Sequence, residues 1–138
     1  MALSKAKIID LPKIEDPRGN LSFLQHPQQL PFEMQRAYWI YDVPGGRVRD
    51  GHAFRTQHEV IIALSGSFDI VLNDGVYEQR HHMSRSYYGL YIPAMTWREL
   101  DNFSTNSVAL VISSTLYDEN DYIRDFDQFR KEVGVENR

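Results

Sequence analysis

The feature that most constrains this chain is its cadence, because short apolar or β-branched runs recur about every ten residues and each is closed by a turn signal. Ala37–Val43 is rich in aromatic and β-branched residues and ends at Pro44-Gly45-Gly46, while Val60–Leu64 is an apolar run closed by Ser65-Gly66. Ser67–Asn73 alternates, with Phe68, Ile70 and Leu72 on one face, and Asn73-Asp74-Gly75 is the strongest hairpin signal in the chain. Tyr87–Ile92, stopped by Pro93, and Val108–Ser113 continue the series. Strands at this spacing predict an all-β antiparallel sandwich or barrel. Helical spacing occurs once, at Tyr122, Phe126, Phe129 and Val133, with Asp118 or Asn120 to cap the start and Arg130 and Lys131 in the last turn. The expectation is a single domain over 1–138, with a β barrel and its amino-terminal strands over 1–116 and an amphipathic helix over 117–134.

A chain of 138 residues suits one domain and is too short for two. No aliphatic run is longer than Val60–Leu64, which falls far short of the roughly 20 apolar residues a membrane helix needs. The first residues lack the apolar stretch of a secretory signal, and the absence of cysteine removes disulfides, thiolate catalysis and cysteine metal sites. A cytoplasmic protein that spans no membrane is expected. A net charge of −4 gives a nucleic-acid partner no help from the overall field, so none is expected. Every basic residue from Arg18 to Arg130 is arginine, whose planar fork suits phosphate or carboxylate, and an anionic small ligand follows as a candidate. Codon usage is the equal alternative. The acids crowded between Asp118 and Glu136 read as a solvated face.

The most informative stretch is Gly46 to Gly66. If it runs extended, His52, Phe54, Thr56, His58, Val60, Ile62 and Leu64 share one face, and two imidazoles point into the same interior as the aliphatic core. Such a layout suits a ligand site at a barrel mouth. Arg47, Arg49 and Arg55 nearby would lower an imidazole's proton affinity and keep it neutral, the form a general base needs. The adjacent His81 and His82 read as loop residues, and Tyr87-Tyr88 as edge or interface material.

The spacing Gly-x5-His-x-Phe-x4-Glu-x6-Gly, formed by Gly46, His52, Phe54, Glu59 and Gly66, resembles the first cupin motif, with Phe54 where histidine is usual. Gly89–Arg98 resembles the second, with Arg98 where metal-binding cupins carry their last histidine. Within the cupins, the chain resembles the WxcM-like nucleotide-sugar 3,4-ketoisomerases that act on dTDP-4-oxo-6-deoxyglucose. The likeness rests on Asp16–Ser22, Arg36–Asp42, Gly51-His52-Ala53, Ala63–Phe68, Leu72–Gly75, Gly89–Pro93 and Tyr117–Phe126.

This resemblance implies a cupin (jelly-roll) barrel with a carboxy-terminal helix, and an isomerisation that uses no metal or other cofactor. A base takes the C3 proton of the 4-oxo sugar, an enediol forms, and a proton returns at C4. His52 stands at the family's first histidine position as the base. Phe54 can neither donate nor accept a proton, so the acid partner comes from elsewhere, with Tyr38 and His58 as the options. Arg18 resembles an arginine that related cupins place in the ligand cleft. Arg36, Arg55 and Arg98 are candidate diphosphate or sugar contacts, and Tyr91 and Trp97 candidate stacking partners. A homodimer joined through its amino-terminal strands is expected. The alternatives are a non-catalytic sugar-nucleotide-binding cupin and a dTDP-sugar 3,5-epimerase.

Overall fold

In the computed structural model, which describes residues 2–135, the alternating segments pair entirely antiparallel. A short helix α1 (Ala2–Lys5) precedes β1 (Lys7–Asp10), β2 (Lys13–Ile14), β3 (Leu21–Ser22), β4 (Arg36–Tyr41), β5 (Arg49–Phe54), β6 (Glu59–Ser65) and β7 (Phe68–Asn73). Then come β8 (Glu78–Met83), β9 (Tyr88–Ile92), β10 (Trp97–Asp101), β11 (Val108–Ser113), a 3₁₀ turn (Glu119–Asp121), β12 (Tyr122–Ile123) and α2 (Phe126–Glu132). One five-stranded sheet has the order β1-β9-β6-β11-β4, the other β12-β5-β10-β7-β8, and β2 and β3 form a separate ribbon.

The space between the two large sheets is filled by Ile61, Ala63, Phe68, Ile70, Leu72, Met83, Leu90, Leu100, Ala109 and Val111. Phe68, Ile70 and Leu72 share this face as their alternation predicts. Val60–Leu64 lacks alternation because its strand is covered on both sides: Ile61 and Ala63 enter the inter-sheet core, while Val60 and Ile62 pack beneath Leu11, Leu24, Leu30 and Phe32. Gly66, at φ +63, turns the chain from β6 to β7 where a Cβ would lie 2.4 Å from Ser104 Oγ. Asn73-Asp74-Gly75 makes the expected hairpin between β7 and β8, and Asp74 Oδ1 accepts from the amides of Val76 and Tyr77.

The carboxy-terminal helix is shorter than its periodicity predicts. Over the expected 117–134, only Phe126–Glu132 is α-helical, and Asp125 caps it, its side chain accepting from the amides of Asp127 and Gln128. Asp118 caps the 3₁₀ turn instead, and Tyr122 belongs to β12, where it pairs with Phe54. A ladder partner outcompeted a helical period. Phe126, Phe129 and Val133 do form the buried face, packed on Ala53, Trp97 and Ile123 against the outside of the second sheet. His81 and His82 lie on β8 and not in a loop. Among the described residues, no helix is long and apolar enough to cross a membrane.

Candidate active site

Alternation along β5 sends His52 and Phe54 inward and Ala53 outward, toward α2. Gly51 is required there because a Cβ would sit 2.5 Å from the Trp97 indole nitrogen. After Phe54 the chain leaves one sheet and enters the other at Glu59, so the alternation restarts. The crossing is fastened by Asp121, whose Oδ1 accepts from the Thr56 amide (2.8 Å) and hydroxyl (2.9 Å) and whose Oδ2 accepts from the Gln57 amide (3.1 Å). The inward residues of β6 are therefore Glu59, Ile61 and Ala63, and the single continuous face expected from His52 to Leu64 does not exist.

His52 opens onto a cavity of about 400 Å³, within the usual range for a small-ligand site. Arg36, Tyr38 and Ile40 of β4 line one wall, Val48 and Arg49 lead into β5, Arg98 comes from β10, and Tyr122 and Arg124 close the remaining side. The His52 ring packs edge-on against Phe54 at 4.9 Å and tilted against Tyr122 at 5.1 Å, so two aromatic walls hold the imidazole.

Behind the cavity runs a buried polar chain. Arg98, 2% exposed, donates from Nε to Glu59 Oε1 (2.7 Å) and from Nη2 to Glu59 Oε2 (3.3 Å) and to the Tyr38 hydroxyl (2.9 Å). Burial opposes the charge on Arg98, but Glu59 and Tyr38 together raise its pKa above the ordinary arginine value. Burial pushes the Tyr38 phenol up to about 12 against the opposing pull of Arg98. The phenol therefore stays protonated at neutral pH. Because a guanidinium can only donate, the Tyr38 oxygen serves Arg98 as acceptor and keeps its own O–H for another partner. Arg36 lies over the rings of Tyr38 (5.1 Å) and Tyr117 (5.5 Å) and donates to Gln57 Oε1 at 2.9 Å.

The rim is ordered by a second pair. Arg124 stacks on Tyr122 at 4.2 Å and donates to both oxygens of Glu119, and these bonds, with one from Tyr117, bring the Glu119 carboxyl down to about 2.

The structure thus gathers His52, Tyr38, Arg36 and Arg98 at one cavity and places five other candidates elsewhere. His58 and Tyr91 lie outside the inter-sheet space, since His58 follows the crossing; its Nδ1 is 2.8 Å from the Tyr91 hydroxyl, and burial lowers its pKa. Arg55 faces α2, forks onto Glu132 at 2.9 Å and donates to the carbonyls of Asn120 and Tyr122. Trp97 packs on Phe126 and Phe129 and donates to Glu99. Arg18 is 91% exposed and forks onto Asp16. Arg49 lines the cavity beside His52 as its place in the sequence suggests, and the residues that sequence reasoning did not place here are Tyr122 and Arg124. Both fall in the segment expected to be helical, where no β signal is visible.

Comparison with known proteins identifies the family and the fold. The family model described as WxcM-like, C-terminal, matches residues 4–134. The chain belongs to this family. It is 36% identical over 131 residues to the TDP-4-oxo-6-deoxy-alpha-D-glucose-3,4-oxoisomerase of Aneurinibacillus thermoaerophilus, covering 95% of this chain and 94% of that one. A 3,4-ketoisomerase from Helicobacter canadensis superposes with a TM-score of 0.90 at 40% identity, covering 93% of this chain and 96% of that one. A mutant of the 3,4-ketoisomerase QdtA from Thermoanaerobacterium thermosaccharolyticum, solved with TDP-4-keto-6-deoxyglucose, superposes with a TM-score of 0.91 at 33% identity, covering 93% of each chain. The all-β cupin barrel expected from the motifs is the fold observed.

Proposed function

We propose that this WxcM-like cupin is a 3,4-ketoisomerase of TDP-4-oxo-6-deoxyglucose. The observation that carries the reading is the cavity itself: one inward imidazole, His52, shares it with the half-buried phenol of Tyr38, whose oxygen accepts from Arg98 and whose proton is left for a ligand. His52 takes the proton from C3. The C–H pair becomes the C3=C4 bond as the C4 carbonyl pair moves onto O4, which takes a proton from Tyr38. The Tyr38 phenolate then takes the O3 proton, which forms the C3 carbonyl, and the C3=C4 pair takes at C4 the proton held by His52, so both side chains return to their starting states. Atoms balance, and the keto group has moved one carbon.

The arginines supply the rest. Arg36, Arg49 and Arg124 place positive charge around the cavity for a diphosphate. At the four positions where metal cupins bind a cation, Phe54 has no donor atom and the guanidinium of Arg98 takes both carboxylate oxygens of Glu59. That set does not fit a metal ion, so no step is routed through one. A cysteine-free chain needs no oxidising compartment, which supports a cytoplasmic site of action. A homodimer is supported by the uncovered apolar strip of Trp39, Tyr41 and Leu64 on the outer face of the first sheet, exposed by 59%, 60% and 49%; light scattering on an eluting peak reads the mass.

Incubation with TDP-4-oxo-6-deoxyglucose in deuterated water tests the function. Deuterium at C3 or C4 is expected. Incorporation at C5 would instead identify a 3,5-epimerase, and binding without exchange a sugar-nucleotide-binding module.

A further inference from the structure

Gln57 sits in the crossing between β5 and β6, 2% exposed, with all of its hydrogen-bonding capacity directed inward. Its Oε1 accepts from Arg36 Nη2 (2.9 Å) and from the Thr115 hydroxyl (2.7 Å). Its Nε2 donates to Ser113 Oγ (3.1 Å) and reaches Glu59 Oε2 at 3.5 Å. The amide has one possible orientation, because Arg36 can only donate and the Glu59 carboxylate can only accept. One side chain thus joins the two halves of the site: Arg36 on the ligand-binding side, and the Glu59–Arg98–Tyr38 chain on the proton-donating side.

We propose that Gln57 is a positioning residue for the isomerisation, its amide setting the guanidinium of Arg36 and, through Glu59 and Arg98, the direction of the Tyr38 hydroxyl. The inference rests on the ketoisomerase reading, and in particular on Tyr38 as proton donor. It follows from reach: two guanidinium groups cannot hydrogen-bond each other, and besides Tyr38, over whose ring Arg36 lies, Gln57 is a buried group among the described residues that bonds Arg36 directly and reaches toward Arg98 through Glu59. A misplacement of about 1 Å at such a site costs about 100-fold in rate, so an amide remote from the substrate carries kinetic weight.

Two substitutions separate positioning from mere support. Gln57→Leu removes both contacts at once; KM is expected to rise about tenfold and kcat to fall between about 10-fold and 100-fold. Gln57→Glu keeps the acceptor for Arg36 but brings a second carboxyl against Glu59. The charged groups facing it are Arg36 from β4, Glu59 from β6, Arg98 from β10 behind Glu59, and Asp121 from the 3₁₀ turn, bonded to the Gln57 amide; Ser113 and Thr115 are neutral. Two facing carboxyls share one proton, which replaces the lost N–H, until rising pH removes it. The Gln57→Glu enzyme is therefore expected to keep a near-normal KM and to lose kcat about tenfold more than wild type between pH 6 and pH 8.5, whereas the loss in Gln57→Leu is independent of pH.

Rates are read below each variant's melting point on full-length protein, so a stability defect alone leaves both profiles unchanged. If both variants keep wild-type kcat, KM and pH dependence while only their melting points fall, Gln57 is a structural residue and the proposal is overturned. If Gln57→Leu does not fold, the alkaline loss in Gln57→Glu decides alone. Tyr38→Phe measured alongside distinguishes the two levels. Wild-type exchange in Tyr38→Phe sinks the donor reading itself, while a dead Tyr38→Phe with normal Gln57 variants sinks only the inference about Gln57.

Discussion

The two ends of the space between the sheets make an instructive pair. Three layers can be read across β4, β11 and β6 from their register: Arg36–Ser113–Glu59, then Tyr38–Val111–Ile61, then Ile40–Ala109–Ala63. The first is polar, the second is mixed, and the third is ordinary core. On the facing sheet Arg98 belongs to the polar end and Leu100, two residues on, to the apolar one. The same backbone ladder therefore carries both, and a step of one inward residue separates a polar network from ordinary packing. The polar end is also the expensive one, since burying Arg98 and Glu59 is tolerable only because each answers the other.

That contrast can be broken experimentally, beginning where the effect is greatest. His52→Asn is expected to lower deuterium exchange by about 1,000-fold while leaving TDP affinity within a few-fold, because only the base is lost; a collapse of affinity in calorimetry would make His52 a binding residue. Arg98→Leu is expected to cost about 3–5 kcal/mol in urea unfolding by stranding the Glu59 carboxylate, and adding Glu59→Met should restore most of that stability without restoring exchange. Recovery of activity in the double variant would show that the ion pair is not part of the chemistry. At the apolar end, Leu100→Ala should cost about 2–5 kcal/mol yet leave kcat of the folded fraction unchanged.

Phe54→His returns an imidazole beside His52 and is expected to keep binding and alter either the rate or the product; indifference in both would put position 54 outside the reaction zone. The smallest effect belongs to His58. Burial lowers its folded pKa below the unfolded value, so neutral His58 favours the fold fully above about pH 6.5, and that contribution is lost as pH falls below it. His58→Gln should flatten the decline of melting temperature on the acid side by a degree or two and leave exchange untouched.

Much of this was legible in the residues, and the failures are local. Alternation at Phe68, Ile70 and Leu72 located the inter-sheet face, and the turn residues located the hairpins, because both are short-range properties of a strand. Tyr38, His52, Arg36 and Arg98, four of the candidates that the sequence offers, line one cavity. His58 was misplaced because alternation holds only within one strand, and the crossing at residues 55–58 is fastened by Asp121, which no local pattern reveals. Trp97 and Arg55 look like ligand-binding residues in any sequence, and it took α2 packing on their face to give them structural partners. Arg124 and Tyr122 were hidden by a helical period that β12 overrode.

The clasp that Asp121 places on the crossing at Thr56 and Gln57 has an implication for biosynthesis. Every strand of the two large sheets except β12 precedes it in the chain. A nascent polypeptide emerging from the ribosome therefore presents nearly every strand of the barrel before Asp121, and the crossing at Thr56 and Gln57 is fastened only when the final segment folds back across the rim. A proteolytic nick between Tyr117 and Asp121 is expected to release that clasp while leaving β1 to β11 continuous.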